Sequence, residues 1–313
     1  MSDVSADAYM SEMSGCAPKA AAPGLISVVI PVYNGLPLLD HQLVALAAQD
    51  HAGEFEVIVS DNRSTDGLRE HLATHPLAER LALRCVDSFG AQGRSHACNV
   101  GAAAARGQFI VFCDADDAVH PGWLGAMSRA AQDFDAVGGA VETRALNTAA
   151  VASWRSMPNA EERFEHAGYL PYAIGCNLGV WRSALDAVGG FDESLVGGGE
   201  DAALSWSLQL AGFTLGHTPE AVVSYRFRDS RRGTWRQMVN YGRGSVHLYL
   251  RFRDRGLPRP SIRDSALGWV GVLVLNPLVP RIGAVPPRGM WIAQTAFMTG
   301  RLRESVRLRV RYL

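Results

Sequence analysis

The stretch from Phe89 to Asp117, FGAQGRSHACNVGAAAARGQFIVFCDADD, limits what this chain can become more than any other. It reads as a loop punctuated by Gly90 and Gly93, an Ala-rich helix over Asn99–Arg106, and a helix-ending glycine at Gly107. A short buried strand over Gln108–Cys113 follows, and then an acidic corner. Asp114, Asp116 and Asp117 at a strand end repel one another and cost stability unless positive charge sits among them. In an open α/β sheet the carboxyl ends of strands are where ligands bind. Asp-Ala-Asp there points to a divalent cation with a polyphosphate behind it. The plainer alternative is an acidic turn before a helix opening at Pro121, with Asp117 as its cap.

The flanking sequence extends the pattern. Leu25–Val32 (LISVVIPV) reads as a buried strand, and Pro37 opens a helix with Leu39, Leu43 and Leu46 on one face. Phe55–Ser60 is a second strand, with Ser64 or Thr65 placed to cap the next helix, and Leu81–Val86 is a third. Alternating strands and helices predict an α/β fold with a mainly parallel, Rossmann-like sheet flanked by helices. No G-x-G-x-x-G follows the first strand, so the dinucleotide fingerprint is absent. Asp61 closes its strand at the same edge as Asp114 and Asp116, where it either accepts hydrogen bonds from a nucleobase or ribose or makes a simple Asx-turn. Further on, Pro121–Asp133 reads as a helix and Asp135–Glu142 as a strand. Gly197-Gly198-Gly199 precede Glu200 and Asp201 at a helix start, a mobile loop before paired acids whose bland role is to complement the helix dipole.

SVVIPVYNG, VSDNRSTDG, QGRSHACNVGAAAARGQFIVFCDADD and NLGVWRSALDAVGGFDESLVGGGEDAALSWSLQLAGF together resemble family 2 glycosyltransferases of the GT-A fold, over roughly residues 25–228. The resemblance implies a nucleotide-sugar-binding half (25–117) and an acceptor half (118–228). Pro31, Tyr33 and Asp61 would hold the base of a nucleoside-diphosphate sugar. Arg94 and Asp114 would lie near the ribose and diphosphate, and Asp116 would ligate Mg²⁺ or Mn²⁺. Asp201 would be the general base of an inverting transfer, with Glu200 orienting its loop and Asn177, Gly198 and Gly199 on the acceptor side. The chain departs from the family pattern at Cys98, Ser207 and Ser224, where Arg, Arg and His are usual. Cys98 is expected to be core, and His217 receives no role.

Charge divides the chain. Net charge is −1, yet from Arg226 onward eighteen Arg face four acids. Residues 229–313 read as a helical, Arg-rich extension. Helices are expected over Thr234–Arg253 and Gly289–Leu313, and the apolar run Ser265–Val279 is too short and interrupted to span a bilayer. A basic amphipathic helix suits an anionic membrane surface, the alternative being packing on the catalytic domain or a second subunit. The Arg residues alternate with aliphatic side chains, which argues against nucleic acid. Five scattered cysteines lack a C-x-x-C pair, which argues against zinc and fits a reducing cytoplasm. Residues 1–24 lack a signal-peptide core and are expected to be disordered. The expected protein is a cytoplasmic enzyme at the inner face of the plasma membrane, glycosylating a glycan or lipid-linked acceptor. The alternatives are a tailoring enzyme for a small soluble acceptor and a silent sugar-nucleotide-binding scaffold.

Overall fold

Continuous apolar runs build the centre of the sheet. Ile26 and Val28–Ile30 in β1 (Leu25–Val32), Val57–Val59 in β2 (Glu54–Asp61) and the whole of β4 (Phe109–Phe112) are fully buried. Strands covered on both faces cannot alternate apolar with polar residues, so their sequence signal is a run. The computed structural model describes residues 21–195, 197–274, 276–277 and 287–312. Most of the segment expected to be disordered, residues 1–20, lies outside them.

β1 pairs parallel with β2 and β4, and β2 with β3 (Arg84–Asp87). Beyond β4 the sheet changes direction. β7 (Leu178–Trp181) runs antiparallel to both β4 and β6 (Ala136–Glu142). β6 is parallel to β8 (Leu215–Ser224), which is antiparallel to the short β5 (Ala118–Val119). The strand order is β3-β2-β1-β4-β7-β6-β8-β5. The sheet is therefore mixed: β3, β2, β1 and β4 run parallel to one another, and beyond β4 the one parallel pair among the described strands is β6 with β8.

The helices are α1 (Leu36–Ala47), α2 (Leu68–Ala73), α3 (Arg94–Ala104), α4 (Trp123–Ala130), α5 (Ala149–Ala152), α6 (Arg182–Ala187), α7 (Glu200–Leu210), α8 (Arg231–Phe252), α9 (Ile262–Val274) and α10 (Arg288–Arg307). Three local expectations need correcting. No side chain caps α2, which instead follows Gly67 at φ 84°. Asp117 does not cap a helix, because its Oδ1 accepts the Arg226 N–H at 2.8 Å. Gly107 does not end α3 in a left-handed turn. It sits where a Cβ would lie 2.6 Å from the Leu25 carbonyl oxygen, so it lets the chain pass against β1.

The C-terminal helices are docked on the sheet domain. Trp206 of α7 is fully buried, with its ring 5.2 Å from that of Phe252 in α8. α8 and α10 cross with their backbones in contact. A Cβ at Gly242 would lie 2.8 Å from the Arg301 nitrogen, and one at Gly300 2.9 Å from Val239 Cα. Glu304 is buried beneath this crossing, where hydrogen bonds from Arg307 and His247 and the charge of Arg243 pull its carboxyl down to about 2. Ala293, Ala296 and Met298 of α10 are buried, while Val306 in its last turn is exposed.

Candidate active site

β1, β2 and β4 are parallel, so their carboxyl ends share one edge of the sheet. Three connected clefts open there, of about 420, 320 and 420 Å³. Arg94 and Asp114 line all three, Asp116 the first two and Glu200 the last two. Pro31 and Tyr33 stand in the first cleft, Gly198 in the second and third, and Gly199 and Asp201 in the third.

The acidic corner has the positive charge that its stability requires. Asp114 Oδ1 accepts hydrogen bonds from Arg94 Nε at 3.1 Å and Nη2 at 2.9 Å. Asp116 Oδ2 accepts from Arg228 Nη1 at 2.7 Å, and its backbone carbonyl accepts from Arg226 Nε at 2.8 Å. Burial nevertheless raises the Asp116 carboxyl above its ordinary range, with Asp114 adding to the effect. Asp117 is pushed up further by burial and by the same two neighbours, and its Oδ2 is buried without a hydrogen-bond partner. Burial opposes the charge on Arg94, but Asp114 and Glu200 hold it firmly protonated.

The donor set fits a hard divalent cation. Asp114 and Asp117, the latter with an orphaned buried oxygen, bring together the oxygen ligands that Mg²⁺ and Mn²⁺ prefer, and Asp116 stands beside them paired with Arg228. Asp114, Asp117 and Cys176 also bring ligand atoms within 4.8 Å of one another. Burial keeps the Cys176 thiol protonated, so it is a poor ligand for such an ion. Asp40, His71 and His75 form a second cluster of this kind. There the Leu77 N–H donates to His75 Nδ1 at 3.2 Å, which places the imidazole proton on Nε2, facing Asp40 at 3.4 Å. Hydrogen bonds among these side chains account for the cluster without an ion.

Opposite the corner, α7 begins with the acid pair. Asp201 Oδ2 accepts the Gly175 N–H at 3.0 Å and Oδ1 the Ala202 N–H at 2.8 Å. Burial raises the Asp201 carboxyl, while Arg94 and these amides oppose the shift. Glu200 is pushed up to about 7 by burial and by Asp201. Its Oε2 and Arg94 Nη1 are both buried without hydrogen-bond partners, and Glu200 Oε1 lies 3.7 Å from that nitrogen.

Two expected residues stand elsewhere. Asn177 is fully buried, accepting from Trp123 Nε1 at 2.8 Å and donating to the Ala140 and Ala221 carbonyls at 2.7 and 2.8 Å. It braces strands and lines none of the three clefts. Asp61 does not line the three clefts, because its carboxylate accepts the Ser64 N–H at 2.9 Å and pairs with Arg69 at 2.6 Å. The neighbouring Asn62 does reach the first cleft, and its Oδ1 fixes the loop before Arg94 by accepting the Gly93 N–H at 2.8 Å. Cys98 lies in the core beneath the sheet with its thiol pushed up to about 12 by burial. Ser224 Oγ lies 3.0 Å from His120 Nε2, and His217 is bound to the Ala160 carbonyl away from the corner.

Other residues at the clefts carried no motif. Arg226, Arg228, Gln237 and Tyr241 line the second cleft, while Arg155, Tyr172, Leu248 and Phe297 wall the third. The arginine pair was visible as charge, but its approach to Asp116 depends on the pairing of β8. Tyr241 and Leu248 belong to α8 and Phe297 to α10, so a boundary drawn at residue 228 passes through the wall of the second and third clefts. The triglycine loop is pressed on α8. A Cβ at Gly198 would lie 2.8 Å from Tyr241 Cδ1, and one at Gly244 would lie 2.9 Å from the Gly198 carbonyl carbon.

A half-parallel sheet with an acidic corner at β4 and an acid pair facing it defines a GT-A-type nucleotide-sugar fold. The sequence matches glycosyl transferase family 2 over residues 27–189, and the chain belongs to that family. It is 28% identical to glycosyltransferase AglE of Haloferax volcanii over 72% of this chain and 74% of that protein. It is 27% identical to the pre-mycofactocin glycosyltransferase of Mycobacterium tuberculosis over 87% of this chain, spanning 59% of that longer protein. The fold is like that of mannosyltransferase PcManGT from Pyrobaculum calidifontis, solved with GDP-Man and Mn²⁺. That match has a TM-score of 0.59 at 20% identity and covers 95% of this chain and 92% of that one. It is also like S. aureus TarS 1–349 in complex with UDP-GlcNAc, with a TM-score of 0.51 at 17% identity, covering 92% and 93%.

Proposed function

We propose that this glycosyltransferase moves a sugar from a nucleoside-diphosphate sugar to an acceptor hydroxyl by a single inverting displacement. The observation that carries the reading is the placement of the Glu200–Asp201 pair across connected clefts from Asp114 and Asp116, with Arg94 between them. Pro31 and Tyr33 serve the base side, Asp61 supports that side from behind by fixing Ser64 and Arg69, and Arg94 and Asp114 serve the ribose and diphosphate. Asp116 holds Mg²⁺ or Mn²⁺, which when bound neutralises charge on the departing diphosphate. Asp201 takes the acceptor proton. Its two backbone hydrogen bonds fix the carboxylate and favour the ionised form that a base needs. Glu200 orients the loop, and Gly198 and Gly199 let it pass close to the acceptor.

The acceptor is a cell-envelope or lipid-linked glycan, and the enzyme works at the inner face of the plasma membrane against anionic lipid. The Arg excess after residue 226 supports this reading. No helix among the described residues is long and apolar enough to cross a membrane. A small soluble acceptor is the second reading. The half-enclosed third cleft, walled by Tyr172, Tyr225, Tyr241 and Phe297, favours a single ring-shaped unit, and the pre-mycofactocin relative lends it weight.

The test is release of nucleoside diphosphate from UDP-, dTDP- and GDP-sugars with Mn²⁺, Mg²⁺ or EDTA. Turnover of one donor, abolished by EDTA and by Asp116→Ala, is the expected result. Silence across the panel, together with no donor binding by calorimetry, would move the scaffold reading to the front.

A further inference from the structure

The half-buried side of α9 carries Gly268, Gly271, Trp269 and Val272, and the side that faces solvent carries a row of large aliphatic residues. A Cβ at Gly268 would lie 3.0 Å from Met298 of α10, and one at Gly271 would lie 4.0 Å from Gln294. The Val272 carbonyl accepts the Trp291 Nε1–H at 3.0 Å. On the outer side Leu267, Val270, Leu273 and Val274 are 56, 48, 65 and 55% exposed. Their spacing of three and four residues puts them on one stripe. Exposed Arg263 extends the stripe by one turn, and exposed Arg259 precedes the helix. A helix that only faces water carries polar residues on that side. Four large aliphatic side chains in one exposed row mark a surface that something covers.

We propose that α9 is a monotopic docking helix that lays Leu267, Val270, Leu273 and Val274 into the headgroup–acyl boundary of an anionic bilayer. Charge selects lipid as the occupant. From Arg226 onward eighteen Arg face four acids, so two copies of this region repel each other while an anionic surface attracts it. Length agrees, because the described helix is too short to cross but long enough to lie in the interface. The inference deepens the membrane part of the reading above. It locates the contact on α9, where four large aliphatic side chains are exposed in one row, whereas α10 exposes Val306 alone in this way.

The full chain is sedimented with phosphatidylcholine vesicles containing phosphatidylglycerol, and in parallel with phosphatidylcholine alone. The protein is expected to pellet with the anionic vesicles. Leu267→Asn/Leu273→Asn is expected to lower the partition coefficient by roughly tenfold or more. Both positions are exposed, so the melting temperature should hold. Val44→Asn, at an equally exposed site on α1, should change nothing. Failure to pellet, a double variant that partitions like the wild type, or equal partition to neutral vesicles overturns the proposal. So does a lipid-free dimer that the double variant dissolves. Calorimetric binding of UDP and GDP to the same samples reports the glycosyltransferase reading separately.

Discussion

Replacing Gly244 by alanine sets two effects of opposite sign against each other. Alanine in a helix interior is favoured over glycine by about 0.8–1.0 kcal/mol. At this position, however, the added methyl would lie 2.9 Å from the Gly198 carbonyl carbon and closer still to its oxygen. Backbone cannot rotate out of the way, so α8 or the triglycine loop must move by about 1 Å, and overpacking of this kind costs about 1–3 kcal/mol. The net loss is about 1 kcal/mol, a fall in Tm of about 2–4 °C. The effect on turnover should be far larger, because the displaced loop leads directly into Glu200 and Asp201. A misplacement of about 1 Å costs on the order of a hundredfold. Gly271→Ala on α9 is the control, since nothing lies nearer to its Cβ than Gln294 at 4.0 Å. It should gain helix propensity alone and raise the Tm. Thermal melts and nucleoside-diphosphate release would be measured on both proteins. A Gly244→Ala protein that melts higher and turns over normally would refute the argument that this contact positions the acid pair.

Asp201→Asn should lose turnover by about a hundredfold or more while binding donor normally, which calorimetry beside kinetics would read. Turnover of the wild type should rise with pH through about 7, as Glu200 ionises beside Asp201, and Glu200→Gln should remove that limb of the profile. Glu304→Gln should destabilise the protein by about 1–3 kcal/mol at neutral pH. The Glu304 carboxyl is held down to about 2 in the folded protein, so its contribution is complete above its unfolded value of 4.5. The difference between the two proteins should fade as pH falls from 4.5 towards 2, which denaturant melts at several pH values would show. In a Cys16→Ser background only Cys85 should react quickly with a thiol reagent, because Cys98, Cys113 and Cys176 are buried.

The parallel half of the fold was legible because its signals are local. β1, β2 and β4 carry the apolar runs Val28–Ile30, Val57–Val59 and Phe109–Phe112, and the acids of the corner follow β4 after Cys113 alone. The mixed half was not, since β7 pairs with β4 and β6 across long sequence separations that no periodicity encodes. Asn177 is expected on the acceptor side from the resemblance, and its bracing role is hidden in the sequence because its three partners, Trp123, Ala140 and Ala221, are all distant in the chain. Gly107 looked like a helix stop because a glycine needed for close approach reads the same as one needed for a turn. The acid pair and the Asp-Ala-Asp corner were visible as residues, but Arg228 on Asp116 required the path of β8. The apolar run in the C-terminal extension was seen, whereas which of its faces is covered is decided by Gly268 and Gly271 against α10.

The glycines at the crossing of α8 and α10 bear on stiffness. Where side chains separate two helices, a push on one is absorbed by rotamer changes before it reaches the other. At Gly242 and Gly300 no side chain intervenes, and at Gly244 the backbone of α8 meets the backbone of the loop before Glu200 in the same way. Densely packed backbone yields little to a load. A displacement of α10 is therefore expected to pass through α8 to the loop before Glu200, and the C-terminal helices brace the acid pair.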